Sequence, residues 1–311
     1  MYKIVVKGGL SPAERAEIMS CCPGATIVSG TDEEIASGLP DTEVVWGSLD
    51  PAQLAQAEKL LLMQVVTAGV DHLLSPELLA SPARLCTTSG MHGATIAEHV
   101  FSLVLAFARG LPTLFSHQQV RLWQHYRPTL LQGQVMGIVG FGSIGQAIGH
   151  RALAFGLEVI GLRRKPSPSP SATMVWGEDR LDELLPLVDH LVLAVPLTPA
   201  TTNLISRQRL KLLKPSAYLY NIARGAVVDE DALAAALAQG ELAGAGLDVF
   251  ATEPLPPDSP LWSLNNAIIT PHTAGYLADY RRQAFIIFLD NLRRLRQGLP
   301  LANEVDKGSG Y

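Results

Sequence analysis

Residues Val135-Met-Gly-Ile-Val-Gly140-Phe-Gly142-Ser-Ile-Gly145-Gln-Ala-Ile148 set the pattern for the rest of the chain. An apolar run of strand length enters a glycine-rich turn, and the turn opens directly into a helix-patterned segment. Gly140, Gly142 and Gly145 stand as G-x-G-x-x-G. In such a turn the first glycine permits the tight bend, the second lets backbone approach a pyrophosphate, and the third lets the helix lie close on the strand. Open N–H groups at the helix start, with the helix dipole, favour a phosphate there. Glycine-rich turns are common on their own. The placement between a strand and a helix makes this one a dinucleotide-binding candidate.

The same alternation runs outward in both directions. Upstream, 2–6, 25–28, 43–46 and 61–66 read as strands. Between them 12–21 and 51–57 read as helices, each opening on proline after a capping residue, Ser11 and Asp50. No glycine-rich phosphate loop interrupts this half, so it is read as the walls of a substrate pocket. Its strand-end loops, 47–50 and 67–71, lie where open α/β sheets bind ligands, and they also fit ordinary βα turns. Downstream, strands are expected at 157–162, 190–194, 217–221, 244–249 and 267–270, with helices at 143–155, 180–187 and 229–239. Residues 93–109 read as a largely buried helix and 279–297 as a long helix. The 112–130 segment reads as a polar, aromatic loop region, 166–170 as a stiff Pro/Ser surface loop, and 298–311 as a fraying tail. The rhythm predicts an α/β protein with parallel sheets.

Composition sets the bounds. The 311 residues favour two domains. Hydrophobic residues at 48% and charged residues at 17% are those of a chain with a large core. A net charge of −5 argues against nucleic acid or an anionic membrane as the main partner. No apolar run reaches the ~18 residues of a membrane span, and the first residues are too short and too charged for a signal peptide. The three cysteines offer neither a disulfide framework nor zinc spacing, and no acidic or Cys/His array suggests a metal. A cytoplasmic location is expected.

The strand after the glycine turn bears on cofactor type. In NAD sites an Asp or Glu ~20 residues beyond the glycines binds the adenosine ribose. Here that strand ends in Arg163-Arg164-Lys165. Guanidinium groups suit a 2′-phosphate, because they offer forked, charge-assisted hydrogen bonds. Arg163 and Arg164 therefore point to NADPH over NADH, with NAD use still open. A solvated basic turn would look the same.

Three polar constellations follow at later strand ends. Arg224 lies just after an apolar strand, where its fork can hold a carboxylate and polarise a neighbouring carbonyl. Glu253 closes Gly246-Leu-Asp248-Val-Phe-Ala-Thr-Glu253, and His272 closes Ile268-Ile-Thr-Pro-His272. Imidazole titrates near neutrality and is the natural proton donor for reduction of a 2-keto acid. A carboxylate beside it orients the ring, a role open to Glu253 toward His272. All three should project from the carboxyl edge of one parallel sheet.

Taken together, Gly137–Gly145, Val195-Pro-Leu-Thr-Pro199, Asn221-Ile-Ala-Arg-Gly-Ala-Val-Val-Asp229, Gly246-Leu-Asp-Val-Phe-Ala-Thr-Glu-Pro254 and Thr270-Pro-His272 resemble the D-isomer-specific 2-hydroxyacid dehydrogenase family, glyoxylate/hydroxypyruvate reductase-like members above all. The resemblance covers nearly the whole chain. It implies a Rossmann cofactor domain, 98–281, inserted in a flavodoxin-like substrate domain, 1–97 with 282–311, both doubly wound. It implies Arg224, Glu253 and His272 as the catalytic trio. Implied cofactor contacts, beyond Gly140, Gly142 and Gly145, come from Ser143, Ile144, Val195, Pro196, Thr201, Ile222, Ala223, Asp248 (to the nicotinamide carboxamide), Ala274 and Gly275. On the substrate side it implies Ser48 and Leu49 as a pocket wall and the Ala68-Gly69-Val70 loop as carboxylate donors, with Met91 and His92 as further contacts. It also implies a homodimer pairing through the cofactor domains, with 112–130 as interface. Two departures matter. Arg163-Arg164 replaces the acid of NAD-using members, and 87–92 lacks the asparagine that many members carry near its start. Glu253, where formate dehydrogenases carry glutamine, argues against formate. The 47–50 and 67–71 loops offer no cation for a sugar-acid phosphate. The expected activity is NADPH-linked reduction of a small 2-keto acid to the D-2-hydroxy acid. The alternatives are a dinucleotide-sensing, corepressor-type binding protein on the same scaffold and, less common, phosphite oxidation.

Overall fold

A computed structural model describes residues 2–308 and 310. The chain forms two compact units, Met1–Met91 with Leu277–Tyr311, and His92–Tyr276. The divisions fall at 91/92 and 276/277 rather than at 97/98 and 281/282. The physical reason is that whole helices go with one unit. The helix Gly93–Ala108 packs on the helix Ser143–Ala154 of its own unit, and Tyr280–Gln297 packs on Pro12–Cys21 of the other.

The first unit has strands β1 (Lys3–Lys7), β2 (Thr26–Gly30), β3 (Val44–Trp46), β4 (Leu62–Gln64) and β5 (Arg84–Cys86). All pair in parallel, in the order β2-β1-β3-β4-β5. The expected caps are in place: Ser11 and Glu14 form a reciprocal capping box, and Asp50 Oδ1 accepts the Gln53 N–H at 2.8 Å. Strand residues alternate between two apolar layers. Ile4, Val6, Val44 and Trp46 pack with Phe285, Phe288 and Leu292 of the C-terminal helix, while Val5, Val45 and Met63 face the opposite layer. Covering one face of this sheet is what brings the chain back after the second unit. The tail does not fray through residue 308. Leu301 and Val305 are buried, the Val305 N–H donates to Leu85 O at 2.8 Å, and Arg84 forks onto Glu304 at 2.8 and 2.6 Å. Its polar, Gly-containing composition hid contacts made to residues more than 200 positions earlier. Ser309 and Tyr311 lie outside the described residues.

The second unit holds β6 (Val135–Val139), β7 (Glu158–Leu162), β8 (Met174–Trp176), β9 (His190–Leu193), β10 (Tyr218–Asn221), β11 (Gly244–Leu247) and β12 (Ala267–Ile269). They are all parallel, in the order β12-β11-β10-β9-β6-β7-β8. The order reverses between β6 and β9, the switch point where doubly wound sheets open a crevice. Along β6, Met136 and Ile138 face the layer of the Gly93–Ala108 helix, and Val139 faces the layer of Leu184 and Leu193. Two expectations fail here. Within the 112–130 region Leu111–Gln119 is a helix, while 120–130 is loop as expected; the helix buries no residue, so it carries no apolar stripe to read. The 180–187 helix is reduced to Leu181–Leu184 after a 3-10 turn.

At the start of β9, His190 is 2% exposed. Its Nε2 stands 2.7 Å from Gln134 Oε1 and its Nδ1 3.1 Å from Tyr220 Oη, so a neutral ring satisfies both partners. Burial pushes its pKa down to about 4. The unfolded chain takes up this proton near pH 6.5 and the folded chain does not, so stability falls as pH drops from 6.5 toward 4. Between pH 7 and 5 the loss from this group is about 2 kcal/mol. Guanidinium midpoints at the two pH values measure it. His190→Gln should flatten the slope, and an unchanged slope would assign it elsewhere.

Candidate active site

The glycine turn sits at the switch point. Gly140 has φ +94°, and a Cβ there would stand 2.4 Å from the Ala194 carbonyl oxygen, which follows β9. A Cβ on Gly145 would meet the Gly140 oxygen at 2.5 Å, so the helix Ser143–Ala154 rests directly on the turn. At Gly142 the same Cβ meets nothing within 4 Å. The turn is thus closed on its protein side and open on its outer side, with Ser143 and Ile144 beginning the helix. This shape fits a pyrophosphate laid on the helix N-terminus.

The β7 end carries the cations. Arg163 donates through Nη2 to the Ser167 carbonyl at 2.8 Å and to the Ser167 hydroxyl, so the 166–170 loop braces it; Arg164 is exposed. After β9, Thr201 accepts the Thr198 N–H at 2.8 Å and donates to the Pro196 carbonyl at 2.6 Å, which holds the Val195-Pro196 loop in shape. After β10, Ile222 and Ala223 are buried. There Asn221, also buried, accepts the Ala223 N–H and donates to the Arg224 carbonyl.

Three loops at this edge interlock. Gly225, next to Arg224, lies so close to the following loop that a Cβ would stand 1.9 Å from the carbonyl carbon of Phe250. The Phe250 N–H donates to Glu253 Oε1 at 3.0 Å, and Glu253 Oε2 stands 2.8 Å from His272 Nδ1. A chain of direct contacts therefore joins the loops of Arg224, Glu253 and His272. The His272 side chain is 48% exposed. Its Nδ1 faces the carboxylate, so Nε2 is the ring atom open to an incoming group. His272 adopts φ +52°, uncommon for a residue with a Cβ. Its N–H donates to the Asp248 carbonyl at 2.8 Å.

Asp248 is 2% exposed and grips the same loop. Its Oδ1 accepts from Thr270 Oγ1 at 2.6 Å and from the Thr273 N–H at 2.9 Å; its Oδ2 accepts from the Ala274 N–H at 2.9 Å. The carboxylate expected at the nicotinamide thus also shapes the turn that carries His272. Ala274 is buried, and Gly275 leaves room for the His92 ring. His92 is itself buried, which lowers its pKa and keeps the ring neutral near neutrality; Met91 is half-buried.

In the first unit, Ser48 follows β3, and Ala68 and Gly69 follow β4, all half-buried. Leu49 and Val70, expected among the substrate contacts, are 6% and 2% exposed and belong to the apolar layer with Val45 and Met63. Their side chains are core, so only their backbone is left for a ligand. The loop is pinned: Thr88 Oγ1 and Tyr280 Oη both donate to the Val66 carbonyl, and Thr67 Oγ1 donates to that of Gly69. Asn221, Gly225, Thr270, His99 and Tyr280 were not singled out from sequence. Asn221, Gly225 and Thr270 lie inside the motifs; His99 and Tyr280 act through distant partners that no local pattern marks.

A doubly wound parallel sheet with a glycine turn at its switch point defines a dinucleotide-binding domain of the Rossmann class. The chain belongs to the D-isomer specific 2-hydroxyacid dehydrogenase family, whose NAD binding domain matches residues 101–274. It is 34% identical over 257 residues to human glyoxylate reductase/hydroxypyruvate reductase, spanning 81% of this chain and 78% of that one. It is 32% identical over 295 residues to D-3-phosphoglycerate dehydrogenase of Mycobacterium tuberculosis, spanning 91% of this chain and 55% of the relative, so it covers about half the length of those enzymes. A solved NADPH-dependent glyoxylate/hydroxypyruvate reductase from Sinorhizobium meliloti, in complex with NADP and sulfate, aligns over 100% of both chains with a TM-score of 0.88 at 26% identity. A family member from Xanthobacter autotrophicus, solved with NADPH and MES, gives 0.88 at 29%, again over 100% of both.

Proposed function

We propose that the protein reduces a small 2-keto acid to the D-2-hydroxy acid with NADPH. The observation that carries this reading is the His272–Glu253 pair, Nδ1 to Oε2 at 2.8 Å, set on the same sheet edge as Arg224. A bound nicotinamide dinucleotide supplies the hydride that adds to the carbonyl carbon. Arg224 holds the substrate carboxylate and polarises the carbonyl. His272 delivers a proton from Nε2 to the carbonyl oxygen and, being half exposed, is reprotonated from solvent. Glu253 fixes the ring orientation. The loops 47–50 and 67–71 contain no Lys or Arg, which supports an unphosphorylated acid despite the phosphoglycerate dehydrogenase relatives. Initial rates with glyoxylate, hydroxypyruvate and phenylpyruvate test the reading. Turnover of none of them would overturn it.

The dinucleotide is held by the Gly140–Gly145 turn, with Arg163 and Arg164 at the 2′-phosphate. Each charge-assisted bond lost is worth about 1.5–3 kcal/mol. NADPH should therefore exceed NADH in kcat/KM by about ten-fold or more, and Arg163→Asp should shift preference toward NADH. An NADH preference in the wild type would reverse the assignment. The protein pairs with a second copy through the cofactor-domain segment that contains Phe115, Leu122 and the 94% exposed Trp123, an apolar surface that supports association; sedimentation measures it. Three free, buried cysteines support a reducing compartment such as the cytoplasm.

A further inference from the structure

The helix Gly93–Ala108 carries a polar group that neither the glycine turn nor the trio accounts for. His99 Nε2 stands 3.1 Å from Thr270 Oγ1 and 3.6 Å from Asp248 Oδ1, on a side chain only 17% exposed. The hydrogens in this cluster can be assigned. A carboxylate only accepts, so the Thr270 hydroxyl hydrogen goes to Asp248 Oδ1 at 2.6 Å, the shortest contact it makes. Thr270 Oγ1 is then the acceptor toward His99, and His99 Nε2 carries the hydrogen. The order is His99 Nε2–H to Thr270 Oγ1–H to Asp248 Oδ1. The same carboxylate receives the N–H groups of Thr273 and Ala274, directly after His272. His272 meanwhile holds φ +52°, a conformation that persists only where its surroundings impose it.

We propose that His99 is a positioning residue for the reaction: through Thr270 it orients the Asp248 carboxylate, and Asp248 in turn holds the backbone that presents His272. The inference rests on the keto-acid reductase reading for its kinetic consequence and on geometry alone for its structural one. Its reach is long, since His99 and Thr270 are 171 residues apart in sequence.

The test uses His99→Leu, His99→Gln, His99→Asn and Thr270→Val in the full chain, with two readouts. Steady-state reduction gives kcat and KM for the keto acid. Hydrogen–deuterium exchange gives protection of the Thr273 and Ala274 amides. His99→Leu should lower kcat about 10- to 100-fold, the scale of a small misplacement of a catalytic group, with KM little changed. The two amides should exchange about five-fold faster or more. His99→Gln places an amide N–H near the position of Nε2 and should restore both readouts; His99→Asn, too short to reach, should not. Thr270→Val should reproduce the Leu defect, and the double variant should be no worse than either single one, because both cut one route. Wild-type kcat and exchange in His99→Leu would overturn the proposal. So would a Gln variant as impaired as Leu, which would reduce His99 to packing. If the wild type turns over no keto acid, the reductase reading fails by itself, and the exchange rates still decide the role of His99.

Discussion

Replacing His272 with asparagine should lower kcat by about 10²- to 10⁴-fold, the range a positioned general acid contributes, and leave dinucleotide affinity near that of the wild type. The ring's place in the structure argues for an effect on chemistry rather than on binding. Its Nδ1 is taken by Glu253 at 2.8 Å, and the side chain is half exposed at the sheet edge, outside the apolar layers. Asparagine tolerates the left-handed backbone at this position better than most residues do, so the φ of +52° need not change. The variant therefore removes the proton donor and little else. Dinucleotide titration by fluorescence together with steady-state rates makes the separation. Retained turnover would remove His272 as the acid; loss of dinucleotide affinity would show that the substitution had disturbed the turn.

Gly225→Ala should be the most damaging single methyl in the second unit. The added carbon would stand 1.9 Å from the carbonyl carbon of Phe250, 2.1 Å from its oxygen and 2.2 Å from the Ala251 nitrogen. These are backbone atoms, so no side chain can swing aside; the two loops must part. The Phe250 N–H holds Glu253, and the Ala251 N–H donates to Glu230 Oε2 at 2.9 Å. Separation moves Arg224 on one side and the His272–Glu253 pair on the other. The expected cost is about 3 kcal/mol or more, at the upper end of overpacking, with kcat/KM reduced about 100-fold or further. Urea midpoints and rates on the same preparation check both. A variant that matches the wild type in both would mean that the loops are not held as described.

Much of the fold was legible because its signals are local. A strand, a glycine turn and a helix start lie within fourteen consecutive residues, and prolines behind Ser11 and Asp50 mark helix starts. What escaped was short or without an apolar stripe. Strands β5 and β8 have three residues each, and the helix Leu111–Gln119 buries none of its side chains. Leu49 and Val70 show the opposite limit. They lie in strand-end loops of the kind that bind ligands, and only packing reveals that their side chains turn into the core.

Local sequence accounts for the two parallel-sheet halves, the G-x-G-x-x-G turn, the cations of Arg163-Arg164 and the residue types of Arg224, Glu253 and His272, since each is a property of neighbouring residues. How those residues are held depends on tertiary contacts. The Gly225–Phe250 approach and the grip of Asp248 on the left-handed turn at His272 are contacts across the ends of parallel strands, and the tie from His99 reaches that turn's strand end from a helix 171 residues before Thr270. Parallel pairing needs a long crossover between neighbouring strands. Residues that meet at such an edge are therefore far apart in sequence, where no periodicity or spacing can link them.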